Sequence, residues 1–157
     1  MLNFPEFGIV ASFSNADQGG YKINRILQKY AQEFPAKFVL KKSFGSELNY
    51  NLMKHASVLV GNSSSGLIEA QSFELPVVNV GDRQKGRKTQ KNVINATVDV
   101  DQINSAVNLA MSEAFRESIK GAVNLFKKPD TASKIAEAIV FYDIPKAKPF
   151  NDLDLMQ

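Results

Sequence analysis

Gly61-Asn-Ser-Ser-Ser-Gly66 places three hydroxyls in the turn between an apolar run, Ser57-Val-Leu-Val-Gly61, and a segment of helical pattern that carries Leu67, Ile68 and Glu69. Hydroxyls, backbone N–H groups and the positive end of a helix converging on one spot make an anion site. The same residues also fit a plain helix start, with one serine as the cap and the others filling the turn. Glu69 follows closely enough for its side chain to return toward the turn. A carboxylate beside a phosphate is repelled, whereas beside a ribose it accepts two hydroxyl hydrogen bonds, and a nucleotide offers both groups. Read alone, Glu69 is better explained as a capping-box partner for Ser65 or an acid that compensates the helix dipole.

A second loop, Gly81-Asp-Arg-Gln-Lys-Gly-Arg87, brackets cations between glycines and has no apolar residue to bury. Arginine can hold a phosphate with two parallel hydrogen bonds and lysine as a point charge. Arg83, Lys85, Arg87, Lys88 and Lys91 crowd this one segment, although the net charge is only +3. A solvated surface loop or a nucleic-acid patch would read the same way. The segment lacks the interleaved aromatics that stack on bases, which disfavours nucleic acid. Asn15 and Asp17, at the end of the first apolar run, can reach the same cleft or simply cap a helix. His55 closes a short helical segment, where a lone histidine is more often structural than a ligand contact.

These loops need strands and helices to carry them. Residues 7–13 form an apolar run, and Ile23, Ile26, Leu27, Tyr30, Ala31 and Phe34 then recur at helical spacing up to Pro35. Residues 38–40 read as a strand, Leu48, Leu52, Met53 and Ala56 as a helix face, and residues 57–61, 76–80 and 93–97 as further strands. Ile103, Ala106, Val107, Ala110 and Met111 give a longer helix, and Ile135, Ala138, Ile139 and Tyr142 the last one. Alternation of this kind predicts an α/β, Rossmann-like, doubly wound parallel sheet. Ligand then sits where loops leave the carboxyl ends of strands, which selects residues 14–17, 61–66 and 81–87. The expected domain is 1–142, followed by an extended tail over 143–157.

The 157 residues suit one domain, and the 44% hydrophobic and 22% charged fractions are those of an ordinary globular protein. The absence of cysteine excludes disulfides, thiolate metal sites and a thiol nucleophile, and a single histidine disfavours a histidine-rich metal centre. No run approaches the ~18 apolar residues of a membrane helix, so the expected location is cytoplasmic with no membrane partner. An apolar strand beginning at Phe7 suggests a chain that starts inside a larger fold.

Taken together, Gly61-Asn-Ser-Ser-Ser-Gly-Leu-Ile-Glu-Ala70, Asn79-Val-Gly-Asp-Arg-Gln-Lys-Gly-Arg87 and Ser14-Asn-Ala-Asp17 closely resemble the hydrolysing UDP-N-acetylglucosamine 2-epimerases, particularly the sialic-acid-pathway branch. Leu52-Met-Lys-His-Ala56 and Pro129-Asp-Thr-Ala-Ser-Lys-Ile135 extend the likeness, which runs from about Phe7 to Ile139. Two positions depart from the family's pattern: Ser14 and Gln71 stand where proline is usual.

The resemblance implies one half of a two-domain, glycosyltransferase-B-type fold, with the partner an N-terminal domain and a UDP-sugar in the cleft between them. Ser63, Ser64 and Ser65 would hold the diphosphate, Glu69 the ribose, Arg83 the diphosphate or sugar, and Asn15 would approach from its loop. Asp17, His55, Gly66 and Arg87 are carried over as lesser candidates. The implied reaction eliminates UDP to a 2-acetamidoglucal and hydrates it to the free 2-epimer, N-acetylmannosamine or a diacetamido relative, with no metal or redox cofactor. The family's catalytic acids lie in its first domain and its catalytic histidine ahead of the position of Phe7, so this chain alone is expected to be inactive. A non-catalytic nucleotide-sugar-binding remnant and a glycosyltransferase donor domain are the alternatives. Homo-oligomerisation is left open.

Overall fold

The computed structural model describes Phe4, residues 6–15 and residues 19–142. Asp17 and the expected tail 143–157 lie outside the described residues. The chain divides into two compact units, Met1–Asn124 and Leu125–Gln157. In the first unit β1 (Ile9–Ser12), α1 (Gly20–Glu33), β2 (Phe38–Lys41), α2 (Gly45–His55), β3 (Leu59–Gly61) and α3 (Ser64–Ile68) follow one another. A 3₁₀ turn over Ala70–Phe73 then leads to β4 (Val77–Val80), β5 (Val93–Ala96), α4 (Val100–Met111) and α5 (Glu113–Ile119). The second unit contains α6 (Thr131–Phe141), preceded by Asp130 in the left-handed region at φ 57°; the Thr131 hydroxyl donates to the Lys128 carbonyl at 3.0 Å.

Every strand pair is parallel, as the alternation of elements predicts: Ile9 is level with Phe38, Leu59 with Val77, and Val77 with Val93. The strands, however, form two sheets, β1–β2 and β3–β4–β5, instead of one continuous sheet. Parallel strands are stable when both faces are covered. Only the three-stranded sheet achieves this. On one face Met53 of α2, Ala70, Leu75 and Val77 form a buried cluster; on the other Val78 and Ala96 pack on Ala106, Val107 and Ala110 of α4. In the two-stranded sheet the paired Val10 and Val39 are each 49% exposed.

Glycine explains the close approach of α3 to this core. A Cβ on the buried Gly66 would meet Val77 Cγ1 at 2.9 Å and Leu59 Cδ2 at 3.3 Å. Gly66→Ala is therefore expected to lower unfolding free energy by about 1–3 kcal/mol, read as a lower urea midpoint with an unchanged slope.

At the entry to α1, Gly19, in the left-handed region at φ 95°, occupies the cap position and brings no side chain of its own. Instead Ser14 is pinned to the helix, its N–H donating to Asn24 Oδ1 at 2.8 Å and its hydroxyl to the Gly20 carbonyl at 3.1 Å. Proline has no N–H to make the first bond, so serine at this position adds an anchor that proline would lack. Gln71, the other departure, is 2% exposed and donates from Nε2 to the Ala122 carbonyl at 3.2 Å. Pairing within the 3₁₀ turn and to segment 121–124 takes the place of a proline-fixed backbone.

Sequence periodicity did not mark α5. Its signal was a cap: the Ser112 hydroxyl oxygen accepts from Phe115 N–H at 3.2 Å, and Ile119, one turn further on, is 1% exposed. Arg116 of this helix donates to the Ser57 carbonyl at 2.8 Å, tying α5 to the approach to β3.

Candidate nucleotide-binding site

Because β3 and β4 are parallel neighbours, the loops that leave their carboxyl ends emerge side by side. The β3 loop enters α3 through Ser63, whose hydroxyl oxygen accepts from Ser65 N–H at 3.3 Å. Ser63 is thus the helix cap, and its own O–H proton is left to donate elsewhere. Removing this cap as Ser63→Ala is expected to cost about 1 kcal/mol, visible as a small fall in thermal midpoint.

Ser65 and Glu69 pair with each other. The Ser65 hydroxyl donates to Glu69 Oε2 at 2.5 Å, a short charge-assisted bond across one helical turn. Glu69 ends the α-helix and its N–H donates to the Ser65 carbonyl at 2.9 Å, so the backbone itself directs the carboxylate back over the loop. The serines therefore divide their work: Ser65 holds Glu69, Ser63 caps the helix, and Ser64 makes no side-chain hydrogen bond among those described.

The β4 loop, residues 81–87, is clasped onto the β3 loop at one atom. The Asn62 carbonyl accepts from Gln84 Nε2 at 2.7 Å and from Arg83 at 3.3 Å. Internal turns, Lys85 N–H to the Asp82 carbonyl at 2.9 Å and Arg87 N–H to the Gln84 carbonyl at 3.1 Å, curl the loop so that Gln84 is buried while Arg83 and Arg87 stay exposed. The cationic loop is thus not simply solvated: it carries a buried amide. Farther along the same connection, Gln90 Nε2 donates to the Leu67 carbonyl and Asn92 Nδ2 to the Leu75 carbonyl, each at 2.8 Å. Asn124 Nδ2 donates to the Ile68 carbonyl at 2.8 Å.

Gln90 and Asn124 thereby solve a problem peculiar to a five-residue helix, in which most backbone groups are terminal and need partners from outside, while Gln84 and Asn92 hold carbonyls on either side of it. Sequence reasoning missed these amides. Asparagine and glutamine between charged residues look like ordinary loop residues, and no periodicity distinguishes a buried amide from a solvated one.

The other candidates are more loosely joined. Asn15 is exposed, and neighbouring Ser14 is bonded to Gly20 and Asn24 of α1. His55 is exposed at the last position of α2. Gly66 is buried against the strands, which makes it a packing residue of the loop. Among the described residues no group of three or more His, Asp or Glu side chains could hold a metal ion, and no helix is long and apolar enough to cross a membrane.

The family described as UDP-N-acetylglucosamine 2-epimerase matches residues 1–140. A GDP/UDP-N,N'-diacetylbacillosamine 2-epimerase (hydrolyzing) of Campylobacter jejuni is 43% identical over 95 residues, 60% of this chain and 25% of the relative. The polysialic acid biosynthesis protein P7 of Escherichia coli is 32% identical over 88% of this chain and 35% of its own length. A UDP-N-acetylglucosamine 2-epimerase of Neisseria meningitidis is 32% identical over 94% of this chain and 39% of its own length. The chain spans between a quarter and two-fifths of the length of these relatives. A family match over nearly the whole chain, on a parallel α/β fold with hydroxyl and guanidinium groups at the carboxyl ends of adjacent strands, shows that the chain belongs to the hydrolysing UDP-N-acetylglucosamine 2-epimerase family.

Proposed function

We propose that this chain is the nucleotide-holding part of a hydrolysing 2-epimerase, gripping the UDP portion of a UDP-sugar and stabilising UDP as it departs. The observation that carries this reading is the clasp at Asn62, which brings the Ser63 and Ser64 hydroxyls and the Arg83 guanidinium to neighbouring loops at one end of the sheet. Donors already positioned where negative charge develops lower the barrier without reorganising at the moment of reaction. Ser63 and Ser64 would donate to the diphosphate, Arg83 would neutralise it, and Glu69, steadied by Ser65, would accept from the ribose hydroxyls. Asn15 would complete the cleft from the β1 loop, with Asp17, His55 and Arg87 in lesser roles.

Proton transfer in this proposal belongs to the remainder of a longer enzyme, since the chain spans at most 39% of the length of the relatives compared. The sugar carries a 2-acetamido group, as in the names of the N-acetylglucosamine and diacetylbacillosamine epimerases it resembles. Calorimetric titration of the chain is the direct test. Affinity is expected to fall in the order UDP, UMP, uridine, because the grip is on phosphate; equal heats from all three, or none from UDP, would refute it. Incubated with labelled UDP-N-acetylglucosamine, the 157 residues are expected to release no UDP over many hours. Multiple turnovers would overturn that division of labour.

A further inference from the structure

We infer that Gln84 is a positioning residue for nucleotide binding, acting through the Asn62 carbonyl; this rests on the UDP-binding reading above. Gln84 is 5% exposed, although it lies between the exposed Arg83 and Lys85 in a loop of charged residues. Its Nε2 reaches across 22 positions to the Asn62 carbonyl at 2.7 Å, shorter than the 3.3 Å bond from Arg83 to the same oxygen. Its own Oε1 is buried with no hydrogen-bond partner. A buried amide that leaves its acceptor unpaired is a costly choice for a surface loop. A methionine or leucine would fill the space without that cost, so the burial is explained by what the donor does.

The donor does two things for an anion. It fixes residues 61–66 against residues 81–87, so that serine hydroxyls and Arg83 are held in one arrangement before ligand arrives. It also engages a carbonyl oxygen at the edge of the site, whose partial negative charge would otherwise oppose a phosphate. Arg83 contributes to the same oxygen, and on binding UDP its guanidinium can turn to the phosphate while Gln84 keeps the carbonyl occupied.

The test uses the full chain with Gln84→Met, which keeps the volume and removes the amide, and Gln90→Met as control. Gln90 is likewise buried, at 7% exposure, and its amide donates to the Leu67 carbonyl away from the clasp. UDP is the probe. Gln84→Met is expected to weaken UDP about tenfold with little change in thermal midpoint, since it removes an unpaired buried oxygen together with the donor. Gln90→Met is expected to lower the midpoint more and UDP affinity less. Amide hydrogen exchange at residues 62–65, measured without ligand, is expected to quicken in Gln84→Met only. Unchanged UDP affinity in Gln84→Met, or equal loss of affinity in both variants, overturns the inference. If the unmutated chain does not bind UDP, exchange still decides: faster exchange in Gln84→Met leaves the clasp standing while the UDP reading fails, and unchanged exchange removes both.

Discussion

Ser64→Ala combined with Arg83→Ala is expected to weaken UDP binding at least ~100-fold while leaving the thermal midpoint within a few degrees. The magnitude follows from what each group offers: a hydrogen bond to a charged partner contributes about 1.5–3 kcal/mol, a neutral one about 1, and each 1.4 kcal/mol is tenfold in affinity. Arg83 is exposed, so part of its attraction is screened by salt. The loss is therefore expected to be largest at low ionic strength. Stability is spared because Gln84 still holds the Asn62 carbonyl after Arg83 is truncated, and because Ser64 is neither the helix cap nor the partner of Glu69. Arg83→Lys should fall between, keeping charge and losing the planar two-pronged geometry. Calorimetry at two salt concentrations measures both variants, and a double variant that binds UDP as tightly as the unmutated chain would remove the diphosphate from this site.

The parts of this site that were legible in the sequence are those whose residue types do the work directly. Hydroxyls after an apolar run and arginine between glycines carry their chemistry in their names, and the alternation of short apolar runs with segments of period 3.6 predicted parallel strands with loops at one end. Boundaries came within a few residues: residues 38–40 were read where β2 spans Phe38–Lys41, and residues 76–80 where β4 spans Val77–Val80. What the pattern did not carry was which serine does what. Ser63, Ser64 and Ser65 are interchangeable as letters, and only helix geometry makes the first a cap and pairs the third with Glu69.

Two further features were beyond reach for a different reason. The division of the strands into two sheets depends on what covers β1 and β2, a property of tertiary neighbours that local hydrophobicity does not record. The amide scaffold depends on backbone carbonyls that no periodicity marks: Gln90 and Asn124 meet those at the end of a very short helix, Leu67 and Ile68, while Gln84 and Asn92 meet those of Asn62 and Leu75 on either side of it. The length of that helix was itself not legible, because the helical pattern runs on through Glu69 into the 3₁₀ turn over Ala70–Phe73.

The scaffold and the core meet at Leu75, and its truncation is where the largest loss of stability is expected. Leu75 is 1% exposed in the cluster with Met53, Ala70 and Val77, which joins α2, the 3₁₀ turn and β4. Its backbone is equally committed: the N–H donates to the Ala70 carbonyl at 3.2 Å, and the carbonyl accepts from Asn92 at 2.8 Å. With the backbone pinned at both ends the surroundings cannot collapse far, so Leu75→Ala should leave most of its cavity open and cost about 3–5 kcal/mol, the upper part of the range for such changes. For a chain of this size, each 1 kcal/mol shifts the thermal midpoint by roughly 2–4 °C, so a fall of about ten degrees is expected by circular dichroism. Leu75→Met, which nearly conserves volume, should cost under about 1.5 kcal/mol. Below the midpoint, UDP affinity of Leu75→Ala is expected to fall less than twofold, since the Asn62 clasp does not draw on Leu75. A large loss of affinity in the folded variant would mean that the packing beneath α3, and not the clasp above it, sets the geometry of the site.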